Sequence, residues 1–282
     1  MKELNFIPQY IKQLLKIYKK NFRYLIKKSF LNFYFQTTRM EELINNSNTV
    51  LEQNNSYMTY FVAAYLFEGY PERVKIFKDS KHIALPHGYK HFNLREVSLS
   101  QAIREISKSK QIFERNNLES WCFRAPYATN SISNLGKDMF YQILNEMNFQ
   151  YSSSEFQENP PWKPIQRRIP EFVIARPSDD LLIDKMGIWD VKLIAKLCIK
   201  SILNTKGSLI IFDMHPIRMG QKKFIPALNA ICKFVNNDSN SILIDFKKAI
   251  RSYEEDQKEN FVCITGDIDT WIFFDYFRRL KN

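Results

Sequence analysis

The sequence predicts an α/β fold, a barrel of strands covered by helices, on three observations. Short β-prone runs alternate with helical patterns along most of the chain, the runs number eight, and residues suited to chemistry gather at their C-terminal ends. A length of 282 residues fits a single barrel, and one domain is favoured over two because no linker or composition shift marks a boundary. Apolar residues make up 45% of the chain and charged residues 25%, with 23 Phe and 14 Tyr, enough to bury a core and to exclude global disorder. Lys and Arg number 41 against 30 Asp and Glu, a net charge of +11 that points to an anionic partner or surface. Cys122, Cys198, Cys232 and Cys263 lie far apart with no CxxC pair. Buried reduced thiols in a reducing compartment are expected, not a disulfide framework or a zinc knuckle.

The first element is basic. Between Ile7 and Phe33 the apolar residues recur with a helical period while Lys12, Lys16, Lys19, Lys20, Arg23, Lys27 and Lys28 lie between them. This amphipathic extension over residues 1–38 is expected either to lie on an anionic membrane face or to cover part of the core with a solvated outer side. No signal peptide is expected, and no uncharged apolar run reaches the ~18 residues of a membrane span. The expected location is therefore cytoplasmic, peripheral at the inner membrane face if the extension touches lipid. A helix from Arg39 to about Gln53 opens the barrel domain, 39–282. The strand candidates follow as MTYFVAA from Met58, HIAL from His82, WCF from Trp121, FQYSS from Phe149, EFVIA from Glu171, LIIFDM from Leu209, ILI from Ile242 and FVCIT from Phe261. Helices are expected over Ser98 to Asn116, Asn134 to Met147, Asp190 to Asn204 and Lys222 to Val235. The stretch NPPWKPIQRRIP from Asn159 reads as an irregular loop.

Three of the four histidines stand at or just beyond strand ends: His87 and His91 in LPHGYKH, and His215 in FDMHP. Arg124 in FRAPY and the pair Asp267 and Asp269 in ITGDIDT share that placement. In βα barrels the loops at this end converge on one mouth, so the four motifs are expected to meet there. His87 and His91 flank a turn containing Gly88, and a carboxylate such as Asp269 would complete two histidines and one acid around a divalent ion. Zinc fits this set, as do cobalt, nickel and iron. Such an ion lowers the pKa of water and polarises a carbonyl, so hydrolysis follows. One carboxylate then serves as general base, Arg124 keeps it ionised, and His215 acts as acid to the leaving group. His82, at the start of its strand, is given no role.

At these residues the chain resembles the polysaccharide deacetylases, carbohydrate esterase family four. MTYFVAAYLFEGYPERVKIFKDSKHIALPHGYKHFNL is similar to that family's strand, helix and His-x-x-x-His segment. ISKSKQIFERNNLESWCFRAPY resembles its helix and arginine-proline-tyrosine motif, FQYSSS its next strand, ARPSDDLLID the segment after it, and IIFDMHP its closing hydrophobic-x-His motif. The resemblance spans about Ser56 to Phe246. One departure stands out: the family's opening aspartate pair has no counterpart in FYFQTTRMEELI, whereas FVCITGDIDTWIFFDY at the other end resembles it. A circular permutation is inferred, giving a distorted (β/α) barrel of seven or eight strands with an N-terminal helical extension.

The resemblance implies that Asp269, His87 and His91 bind the metal. It further implies that Asp267 is the catalytic base, Arg124 orients it, and His215 is the general acid. It also implies that the backbone N–H of Tyr127 helps hold the oxyanion. Asp180, in PSDD, is assigned to tuning His215 or touching the sugar. The implied reaction is hydrolysis of an N-acyl group, usually N-acetyl, on an amino-sugar glycan or glycan precursor. The other reading is a catalytically inactive barrel that binds glycan or a protein partner. Whether Asp267 and Asp269 lie within bonding distance of His87 and His91 separates the two. Nucleic acid is not an expected partner, since no groove-reading module is present.

Overall fold

A computed structural model describes residues 40–128, 136–255, 258–272 and 275. The basic extension over residues 1–38 lies outside the described residues. In chain order the elements are α1 (Met40–Gln53), β1 (Thr59–Val62), α2 (Tyr65–Gly69), α3 (Lys75–Lys78), β2 (Ile83–Pro86), α4 (Leu99–Arg115), β3 (Cys122–Phe123) and α5 (Lys137–Glu146). Next come β4 (Tyr151–Ser152), β5 (Phe156–Gln157), β6 (Ile174–Ala175), α6 (Val191–Leu203), β7 (Leu209–Asp213), α7 (Pro216–Met219), α8 (Ile225–Asn237), β8 (Ser241–Leu243), α9 (Phe246–Glu255) and β9 (Asn260–Ile268). A single π-helical turn covers Asp180–Lys185. All eight expected strands are present. β5, α9 and the short helix α7 were not expected, and the helix implied between β1 and the histidine segment is broken into α2 and α3.

Seven strands form one parallel sheet in the order β2-β1-β9-β7-β6-β5, with β8 also paired to β9. β3 and β4 form a separate parallel pair. The fold is thus α/β with parallel strands, as expected. Among the described residues no continuous ladder closes it into a barrel; isolated backbone bonds span the gaps, with one bridge between Ser152 and Glu171. The Arg124 N–H donates to Pro86 O at 3.2 Å beside β2, and the Phe172 N–H donates to Ser152 O at 2.7 Å beside β4. β9, last in the chain, lies between β1 and β7 and is parallel to both. Such a central strand is covered on two faces, which is why FVCIT reads as an unbroken apolar run.

The period-two alternation of strands explains how the interior is built. Leu209 and Ile211 of β7, Phe261 and Cys263 of β9, Phe61 of β1 and Leu85 of β2 belong to one buried cluster, with Phe246, Ala249, Ile250 and Tyr253 of α9. The same strand faces then turn polar two residues further on: Asp213 after Ile211, Thr265 and Asp267 after Cys263, His87 after Leu85. A larger cluster on the other face packs α1, α6 and α8 against the sheet. Among the described residues no helix is long and apolar enough to cross a membrane.

Candidate active site

Arg124 is the hub of the polar end. It follows β3, is fully buried, and lies over the Phe61 ring at 3.9 Å. Its Nη1 donates to Asp267 Oδ1 at 2.9 Å and to Asp213 Oδ1 at 3.2 Å. Nε donates to Ser153 O at 3.0 Å, while Nη2 donates to Ser153 Oγ at 3.2 Å and Thr265 Oγ1 at 3.0 Å. Every guanidinium nitrogen is thus engaged, which fixes the fork.

The two carboxyl groups that share Nη1 are pushed in opposite directions. Burial works to raise the pKa of Asp267, but His87, Arg124 and His215 outweigh it and hold the group below its ordinary value. Asp213 is pushed up to about 7, first by burial and then by Asp267. Environments that drive two neighbouring acids apart assign them different work: Asp267 is ionised and fit to accept a proton, whereas Asp213 retains its own proton to near neutrality. Asp213 was missed in the sequence. Its signal was a carboxylate on the same strand face as His215, where the hydrophobic-x-His pattern calls for an apolar residue.

His215 sits with its Nε2 3.8 Å from Asp213 Oδ2 and 3.9 Å from Asp267 Oδ2. Its Nδ1 lies 2.7 Å from Asp179 Oδ1, and its backbone N–H donates to Asp179 Oδ2 at 2.8 Å. Burial would lower the imidazole pKa; Asp213 and Asp179 outweigh it and raise the pKa well above the ordinary value. The residue hydrogen-bonded to His215 is therefore Asp179, while the neighbouring Asp180 interacts with His215 through its charge. Asp180 accepts from the Ser178 hydroxyl and lies 3.6 Å from Arg176 and 3.5 Å from Lys185. Asp179 precedes the π-helical turn and Asp180 opens it; PSDD offered two adjacent carboxylates with nothing in the sequence to choose between them.

His87, His91 and Asp269 each present one ligand atom, and these atoms lie within 4.8 Å of one another. His87 Nδ1 bonds to Arg124 O at 2.9 Å, which leaves Nε2 to face inward. That Nε2 is buried, has no hydrogen-bond partner among the described residues, and stands 3.3 Å from Asp267 Oδ2. His91 Nε2 is 3.8 Å from Asp269 Oδ2. Burial chiefly lowers the pKa of His87, so its ring is neutral as a ligand must be. An orphaned imidazole nitrogen beside a second imidazole and a carboxylate is a donor set that suits zinc or another borderline divalent ion. The Nδ1 bond to a backbone carbonyl is the outer contact that orients such a ligand. Tyr127 adopts a left-handed conformation, φ 62°, with its ring 4.9 Å from that of His91. The structure thus brings together His87, His91, Asp267, Asp269, Arg124, His215 and Tyr127.

Residues 32–151 match the polysaccharide deacetylase family model. No curated protein matches the chain. Among solved structures, one described as a polysaccharide deacetylase from Mycobacterium smegmatis is similar with a TM-score of 0.57 at 14% identity, covering 86% of each chain. Another so described, from Pseudomonas aeruginosa PAO1, gives 0.60 at 14% identity, covering 80% of this chain and 76% of its own. The peptidoglycan deacetylase PdaC from Bacillus subtilis gives 0.50 at 14% identity, over 75% and 85%. At such identities the likeness is one of fold, and with the family match it accounts for the shared motifs: the chain has the fold of the polysaccharide deacetylases and, over residues 32–151, the features of that family's domain.

Proposed function

We propose that the chain is a metal-dependent carbohydrate N-deacetylase, hydrolysing N-acyl groups, with N-acetyl the first candidate, from an amino-sugar glycan or glycan precursor. The observation that carries this reading is the pairing of the two histidines with the C-terminal aspartates: His87 with Asp267 at 3.3 Å and His91 with Asp269 at 3.8 Å. In an inactive binding barrel nothing requires these remote segments to converge. A circularly permuted strand order accounts for the aspartates' position in the chain, since β9 occupies a central place in the sheet.

His87, His91 and Asp269 would hold the ion, which when bound polarises the amide carbonyl and acidifies water. Asp267, kept ionised by Arg124, accepts the proton of the water as its oxygen bonds to the carbonyl carbon. The backbone N–H of Tyr127 supplies a donor for the developing oxyanion. His215, protonated and oriented by Asp179, delivers a proton from Nε2 to the amide nitrogen as the C–N bond breaks. The products are a carboxylic acid and the free amine of the sugar.

The test is divalent-metal content together with acetate release from N-acetylated oligosaccharides, for the wild type, Asp269→Ala and His87→Ala. About one ion per chain, lost with activity in both variants, is the expected result. Metal retained in Asp269→Ala, or none in the wild type, would remove the basis of the proposal.

A further inference from the structure

The loop between β2 and α4 carries both histidines, and two of its residues are left-handed: Gly88 with φ 76° and His91 with φ 58°. For His91 that conformation is strained and persists only where the surroundings hold it. A Cβ at Gly88 would stand 3.0 Å from Pro126 Cγ, so one side of the loop is pressed against the turn after Arg124. Glu105 holds the other side. It lies on the buried stripe of α4 with Ala102, Ile106, Ser109, Ile112 and Phe113, the one charged member of that stripe, and is 5% exposed. Its carboxylate accepts from the Lys90 N–H at 2.8 Å and from the backbone N–H groups of Tyr89 and Phe92. A buried carboxylate persists only when bonded in this way. α4 is itself anchored by a capping box between Ser98 and Gln101.

We infer that Glu105 is a positioning residue for the metal centre: by gathering the N–H groups of Tyr89, Lys90 and Phe92 onto one carboxylate, it holds the left-handed turn that brings His91 to Asp269. The inference rests on the metal reading of His87, His91 and Asp269. It acts through the backbone, so it depends on where the oxygens lie and not only on their charge. Nothing in the local sequence announces it, because Ile103, Arg104, Glu105 and Ile106 read as an ordinary turn of an amphipathic helix.

The test compares the wild type with Glu105→Gln, Glu105→Asp and Ser109→Ala, reading zinc affinity by chelator competition and amide hydrogen exchange in the metal-free protein. Partners outside the first ligand shell typically tune metal affinity 10- to 100-fold. Glu105→Gln keeps the size but puts an amino group where the second acceptor was, and Glu105→Asp keeps the charge but withdraws it by one methylene. Both are expected to weaken zinc binding about 10-fold or more and to speed exchange at Lys90 and Phe92, while exchange in α4 holds at the wild-type rate. Ser109→Ala, on the same stripe, is expected to change neither. Wild-type affinity in both Glu105 variants would overturn this inference alone. Affinity retained in Glu105→Asp but lost in Glu105→Gln would reduce Glu105 to a simple charge and overturn it as well. A wild-type protein that binds no zinc would overturn the metal reading and this inference with it.

Discussion

Arg124 concentrates the electrostatics of the site in one side chain, since its Nη1 hydrogen-bonds to both Asp213 and Asp267. Removing one partner of a buried ion pair leaves an uncompensated charge and costs about 3–5 kcal/mol. Arg124→Ala should therefore lower unfolding stability by that amount in denaturant titrations and abolish measurable amide hydrolysis. Arg124→Lys keeps the charge but not the fork, so it should recover much of the stability while activity stays at least ~100-fold down. The acid is tuned by charge as well. His215 works protonated, and its raised pKa places the alkaline limb of kcat/KM above the ordinary imidazole range. Asp179→Asn removes one of the anions that raise it, so that limb should move to lower pH. A limb that stays in place in the pH–rate profile would show that another group governs it. The sequence made the site legible where a residue type has few uses, as at His87, His91, His215 and Arg124. Asp213 and Asp179 escaped because a carboxylate beside a strand end or turn has many ordinary uses, and only its neighbours reveal otherwise.

Elements deliver these residues through strand alternation, and β9 delivers the most. Gly266 lies between Thr265, which accepts from Arg124, and Asp267. A Cβ there would lie 2.4 Å from Met214 O and 3.0 Å from Met58 Cε, so the glycine permits β9 and the β7 end to approach closely. Gly266→Ala should destabilise by about 1–3 kcal/mol or more and should cut activity further than that loss explains, because it moves Asp267. Another device is Glu171, fully buried beside β4. Its carboxylate accepts from the N–H groups of Ser154 and Glu155 at 2.6 and 2.8 Å and from the Tyr141 hydroxyl at 3.0 Å. Ser154 Oγ in turn accepts the Ala125 N–H at 2.8 Å, next to Arg124. Burial chiefly raises the Glu171 pKa, from 4.5 to about 7. The folded state then holds this proton more tightly than the unfolded chain does. Stability from this group is present below pH ~4.5, falls as pH rises towards 7, and is level above, a loss of up to ~3 kcal/mol. Glu171→Gln should flatten that part of the stability–pH curve, measured by urea unfolding across pH 4–8. The strands were legible from β-branched and aromatic runs bounded by turns. β5 was not, since Phe156 stands between Glu155 and Gln157 with no apolar run around it, and α9 was hidden among charges although its apolar stripe seals the interior.

At the scale of the whole molecule, the site is held together by carboxylates drawn from distant parts of the chain. Glu105 grips the loop after β2, Glu171 the segment after β4, and Asp179 the backbone of His215. Asp275 accepts the N–H groups of Trp271 and Ile272 at 2.7 and 2.9 Å just beyond Asp269. The first three clasps each join separate segments of the chain, and the ion proposed above would join the β2 loop to the end of β9. A ligand that binds only the native state stabilises it by mass action, about 2.7 kcal/mol at 100-fold excess over Kd and about 4.1 at 1,000-fold. For a chain of this size each kcal/mol is worth roughly 2–4 °C in Tm. Stripping the metal with a chelator should therefore lower Tm by about 5–15 °C relative to the protein in saturating zinc, and restoring zinc should reverse the shift. His91→Ala and Asp269→Ala should each start from the lower Tm and lose the response, although one belongs to the start of the sheet and the other to its last strand. If Asp269→Ala kept the full zinc-dependent shift while His91→Ala lost it, the ion would be held by the β2 loop without β9, and the end of the chain would serve the base alone.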